Sequence, residues 1–136
     1  MTNAKIVNSD EVKPFVVSDS YSSKMILDDF VAGKKTAQMN EGTLKPGAAI
    51  EPSAHDDDEI YYIVKGEAEL TLDDIKTKVR PGSVIFIPAG TMHGLKNLSR
   101  TDDFVLVTIW LNAEANHLYG ERIKAWGKSF KTIYED

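Results

Sequence analysis

The sequence has 136 residues, 42% of them hydrophobic and 27% charged, with 21 acidic side chains against 16 basic ones and a formal charge of -5. That length suits one domain with a real core, and an acidic balance without a basic stripe argues against a nucleic-acid partner. With no cysteine, disulfides, thiolate catalysis and sulfur-ligated metal sites are excluded. Met1 to Glu11 lacks the apolar stretch of a secretory signal. No apolar run approaches the ~20 residues that span a bilayer. A cytoplasmic protein without a membrane partner is therefore expected.

Residues 1–13 read as a loosely held arm. Phe15-Val16-Val17 and Lys24-Met25-Ile26-Leu27 are short apolar runs bounded by Ser and Asp, which predicts two short strands. A third strand is expected within Lys35 to Leu44, closed by the turn Lys45-Pro46-Gly47. Ile50 to His55 then reads as a strand with Glu51, Ser53 and His55 on one face, provided that alternation runs through Pro52. Ile60-Tyr61-Tyr62-Ile63-Val64 is apolar on both faces, as in a strand covered on both sides.

After Gly66, Ala68, Leu70 and Leu72 alternate with polar residues. Asp73-Asp74 turns the chain, and Ile75, Thr77 and Val79 alternate with lysines, giving a half-exposed hairpin. Val84 to Ile87 reads as a buried strand between Arg80-Pro81-Gly82 and Pro88-Ala89-Gly90. His93 to Leu98 and Phe104 to Leu111 follow. Strands broken by Pro/Gly turns every ~8–12 residues predict an all-β sandwich or barrel. Asn112 and Glu114 suit the start of a short closing helix, and Ala115, Leu118, Tyr119, Ile123 and Trp126 form an apolar stripe that packs it on the barrel.

The chemistry concentrates in Ala54-His55-Asp56-Asp57-Asp58-Glu59. Here a histidine and a carboxylate stand four apart immediately before a buried strand. Imidazole nitrogen and carboxylate oxygen are ligands for Zn, Fe, Mn or Ni. The three aspartates read as a solvated rim, because they lack the spacing of a loop that wraps calcium. A second histidine comes from Gly82-Ser83-Val84-Ile85-Phe86-Ile87-Pro88-Ala89-Gly90-Thr91-Met92-His93-Gly94-Leu95-Lys96-Asn97.

That segment meets every fixed position of cupin motif two, G-x5-P-x-G-x2-H-x3-N, with Gly82, Pro88, Gly90, His93 and Asn97. Gly47, His55, Glu59 and Gly66 fit motif one, and the two motifs are separated by 15 residues, Glu67 to Pro81. The chain thus resembles the cupin superfamily, as a small single-domain member over 1–136 with motif one at 47–66 and motif two at 82–97. The resemblance implies a double-stranded β-helix (jelly-roll) barrel with a short C-terminal helix. It also implies a divalent metal held by His55, Glu59 and His93, with Asn97 fixing a turn. Metal-binding cupins usually supply a further histidine, and Ser53 stands at its place, leaving an open coordination position.

Cupin architecture alone names no reaction. The open position favours a non-haem Fe(II) dioxygenase acting on a small polar substrate, with Mn, Ni or Zn as other candidate metals. The alternative is a metal-dependent isomerase or lyase acting on a sugar acid or a hydroxy- or keto-acid. There Glu51 or Tyr61 moves the proton, with Glu51 also placed to serve as a replacement ligand. A second alternative is a small-ligand-binding cupin without chemistry. Tyr61, Phe86 and Trp110 belong to the core or the pocket wall, and His117 to the surface of the helix. The apolar excess of the strands over Phe15 to Leu27 and at Ile60 predicts a homodimer.

Overall fold

The computed structural model describes residues 2–112 and 117–136, His117 by its backbone alone. Ten strands form among them, numbered in chain order: β1 Phe15–Val16, β2 Tyr21–Leu27, β3 Gln38–Leu44, β4 Ala49–Ser53, β5 Glu59–Lys65, β6 Ala68–Leu72, β7 Ile75–Val79, β8 Val84–Ile87, β9 His93–Asn97 and β10 Phe104–Trp110. A short helix α1, Asp29–Ala32, follows β2, and α2, His117–Trp126, follows β10. The strands assemble into a six-stranded sheet, β1-β2-β3-β10-β5-β8, and a four-stranded sheet, β4-β9-β6-β7. All pairings within them are antiparallel. This is the jelly-roll barrel expected from the spacing of strands and turns.

The core lies between the sheets. Leu44, Tyr61, Ile63, Phe104 and Leu106 from the larger sheet meet Ala68, Leu70, Val79 and Leu95 from the smaller one. Strict alternation makes this possible: β3 and β10 each bury every second residue, and β10 turns Phe104, Leu106, Thr108 and Trp110 inward. Two glycines permit close approaches that a side chain would block. Gly66 has φ 85, and a Cβ there would meet the Asp103 carbonyl at 3.1 Å. At Gly42 a Cβ would lie 2.1 Å from Tyr21 Oη, so the bare backbone of β3 is what lets the Tyr21 ring cross into the interior.

Several expectations are corrected. The last residues of the arm are held, not loose: Val12 is buried and bridges Thr132, while the Lys13 amide donates to Lys131 O and the Ile133 amide to Glu11 O. β5 and β8 are covered on one face only. Tyr62, Val84 and Phe86 are 45%, 67% and 58% exposed, because β8 is the sheet edge and α2 packs elsewhere. In α2, Ile123 is exposed, and Arg122 takes the buried position between Leu118 and Trp126. Glu114 and Ala115 of the expected helix lie outside the described residues.

Asn97 ties the two sheets' connections together. Its Nδ2 donates to the carbonyls of Leu44, Lys45 and Asp102 at 3.2, 3.1 and 2.9 Å, and its Oδ1 accepts from the Ser99 amide at 2.9 Å. Asn97→Asp keeps the shape but removes the donors, so it should destabilise the fold by at least about 2–3 kcal/mol in urea titrations. An unchanged midpoint would contradict this role.

Candidate metal centre and cavity

Ligand positions in this barrel follow from alternation along two facing strands. On β5, Glu59, Tyr61 and Ile63 point inward. On β9, His93, Leu95 and Asn97 do so, and His93 is paired with Leu72 on β6 and with Ser53 on β4. His55 comes from the loop that joins β4 to β5. The structure brings His55, Glu59 and His93 together, with their candidate ligand atoms within 4.8 Å of one another. Small side-chain rotations close that spread around one ion with bonds of ~2.0–2.2 Å.

Backbone bonds between the two motifs hold this geometry. The Gly90 amide donates to the His55 carbonyl at 2.7 Å, and the Ala89 amide to Asp58 Oδ1 at 2.9 Å. On the other side the hairpin turn grips the residue before His93: the Asp73 amide donates to Met92 O at 2.7 Å, and the Met92 amide to Asp73 Oδ1 at 3.0 Å. Asp56 and Asp57 are exposed, as a solvated rim would be, but Asp58 is a brace.

His93 Nδ1 lies 2.8 Å from Thr91 O. A carbonyl only accepts, so Nδ1 carries a hydrogen and Nε2 faces the site, with a lone pair in the neutral ring and a hydrogen in the protonated one. Nε2 stands 3.2 Å from Glu59 Oε1, a buried oxygen with no hydrogen-bond partner. Two electron-rich atoms held this close in a buried site need a cation or a proton between them. The donor set, the orphaned oxygen and the fixed tautomer therefore fit a divalent metal. His55 completes the group, with its ring packed edge-on against His93 at 5.0 Å and against Trp110 at 4.9 Å between centroids.

The triad opens on a cavity of about 270 Å³. Ser53 lines it, as do Tyr61 and Trp110, whereas Phe86 lies on the outer surface. Glu51 is a correction. The register of β4 against β9 shifts between Ile50 and Ser53, at Pro52, so alternation breaks there. Glu51 lines a separate groove with Glu69, Lys76 and Lys96 and is not among the residues that line the cavity. Sequence reading missed Tyr21, Ser23, Thr108 and Leu118, which also line the cavity. The glycine at position 42, inside a strand, was the available sign of a close approach.

Burial pushes the Tyr61 phenol well above its ordinary range, with the Glu59 carboxylate and then Tyr21 adding to the effect. Burial and then Glu59 push Tyr21 up to about 12, against the opposing pull of Arg122 and Ser23. Both phenols keep their protons at neutral pH. For His93 burial acts to lower the value, but the Glu59 carboxylate and the Thr91 carbonyl outweigh it and raise it above 6.5.

Comparison with known proteins agrees with this architecture. The cupin domain family matches residues 40–110. The chain belongs to the cupin family. Among its relatives are an uncharacterized protein of Methanocaldococcus jannaschii, 29% identical over 72% of this chain and 81% of that protein, and an oxalate-binding protein of Thermotoga maritima, 28% identical over 78% of this chain and 94% of that protein. The polyketide cyclase RemF from Streptomyces resistomycificus shares the fold at a TM-score of 0.71 and 22% identity, over 87% of this cupin and 93% of RemF. Among the described residues no helix is long and apolar enough to cross a membrane.

Two measurements test the centre. Ser53→His places an imidazole opposite His93 and should tighten Zn(II) in calorimetric titration. His93→Ala should weaken it by more than the ~10–100-fold typical of losing an outer hydrogen-bond partner. In chelator-treated protein, the raised His93 value contributes stability that is complete below pH 6.5 and is lost as pH rises through the folded-state value. Denaturant midpoints should fall across that interval, while apparent Zn(II) affinity should rise as the proton is displaced.

Proposed function

We propose that this cupin is a metal-dependent enzyme catalysing a redox-neutral reaction, isomerisation or elimination, on a small carboxylate-bearing substrate such as a hydroxy- or keto-acid. The observation that carries this reading is the pair of protonated phenols, Tyr61 and Tyr21, on the wall of the cavity that the triad faces. Oxygen activation requires open coordination positions but no such donors. A donor of this kind stabilises the charge that develops on oxygen when a carbon next to a carbonyl reacts.

His55, Glu59 and His93 would hold the metal, which when bound supplies Lewis-acid polarisation of a substrate carbonyl or carboxylate. Ser53 leaves room beside it for a substrate oxygen. Tyr61, two residues along β5 from Glu59 and with its ring 6.0 Å from that of His93, donates its phenolic hydrogen to the oxygen on which charge develops. Trp110, Leu95 and Ile50 form the apolar part of the wall and exclude water. A cavity of about 270 Å³ is below the usual size for drug-like ligands, which suits a compact acid. The oxalate-binding relative supports a carboxylate ligand.

A panel of 2-hydroxy- and 2-keto-acids, assayed with Mn(II)-loaded protein under argon, tests the reading. Turnover should proceed without oxygen, and Tyr61→Phe should lower kcat by roughly 10²-fold or more with metal content unchanged. Turnover that requires oxygen would restore the dioxygenase reading. Ligand binding without turnover would leave a non-catalytic binding cupin.

A further inference from the structure

The cavity has a second polar end. On β2, Tyr21 and Ser23 share the inward face and line the cavity, with β3 and β10 between them and the strand that carries Glu59. Behind Ser23 lies Arg122 of α2, 0% exposed, with Leu118, one turn earlier, on the cavity wall. Arg122 Nη2 donates to Ser23 Oγ at 2.9 Å, and its guanidinium lies 5.7 Å from the centre of the Phe15 ring. Nε and Nη1 are buried without any hydrogen-bond partner.

Two unmade hydrogen bonds on a buried guanidinium are costly, because each group has given up its hydration without replacement. No carboxylate among the described residues lies within ion-pair distance of it. Asp28, which it feels from further away, is engaged elsewhere: one oxygen accepts from the Val31 amide and the other from Ser129 Oγ. Glu121 lies on the exposed side of α2. Tyr21, on the same cavity wall, feels both the Glu59 and the Arg122 charge.

Building on the proposed function, we infer that the Tyr21–Ser23–Arg122 end is a carboxylate subsite, and that the preferred substrates carry a second anionic group whose charge Arg122 completes from behind Ser23. Arg122 is then a positioning residue that selects dianionic over monoanionic acids. Burial lowers its pKa only to about 10, so the charge persists at neutral pH. A purely structural pin between α2 and β2 would need the hydrogen bond to Ser23 but not the two unpaired nitrogens.

Malonate and acetate are the probes, titrated into Zn(II)-loaded protein by calorimetry. Wild type should bind malonate at least tenfold more tightly than acetate. Arg122→Met should abolish that preference by weakening malonate alone, and Arg122→Lys should restore part of it. Should Arg122→Met fail to fold, the Arg122 Nε–H resonance of 15N-labelled wild type decides, because it should shift with malonate and stay in place with acetate. Equal binding of the two acids by wild type, or a folded Arg122→Met protein with the preference intact, or a stationary resonance, overturns the inference. Malonate preference without anaerobic turnover would instead sink the proposed reaction and leave the subsite standing.

Discussion

A carboxylate oxygen and an imidazole lone pair held 3.2 Å apart in a buried site are the constraint on which this structure turns. With neither a metal nor a proton between them, the two repel and each lacks its hydration. The protein nevertheless fixes both. Glu59 is set by the inward phase of β5, and His93 by β9 together with the Thr91 carbonyl that holds its tautomer. The bonds from Gly90 to His55 and from Ala89 to Asp58 lock the loop before β5 to the turn before β9. Two stretches more than thirty residues apart in sequence are thus tied together around a position that could hold a cation.

The part of the cavity wall on β2 is built by different means. There the charge is positive, comes from α2, and reaches the interior through a hydroxyl. Gly42 is what makes room for Tyr21 on the cavity wall. The cavity thus has the candidate metal triad on its wall and a buried guanidinium behind Ser23.

Much of this was legible in the sequence, and the exceptions have physical reasons. Pro/Gly turns placed most strands correctly, and the two cupin motifs picked out the three residues that meet at the centre. Glu51 was misplaced because Pro52 interrupts the pairing of β4 with β9. Proline within a strand is itself a warning of a bulge. Val84 and Phe86 were taken as buried because an apolar edge strand and a central one look alike in composition. Arg122 escaped notice because an apolar stripe was sought on α2, and a buried cation breaks that pattern at the position that matters. Asp58 read as part of a solvated run, since only the fold reveals that Ala89 lies beside it.

The central claim is that His55, Glu59 and His93 form a metal centre. An anomalous-diffraction map of crystals grown with Zn(II) or Mn(II) tests it directly. The account predicts one dominant peak at ~2.0–2.2 Å from a ligand atom of each of the three residues, with Ser53 facing the open side. A map with no peak there, or with the metal found only on exposed aspartates such as Asp56 and Asp57, would contradict it.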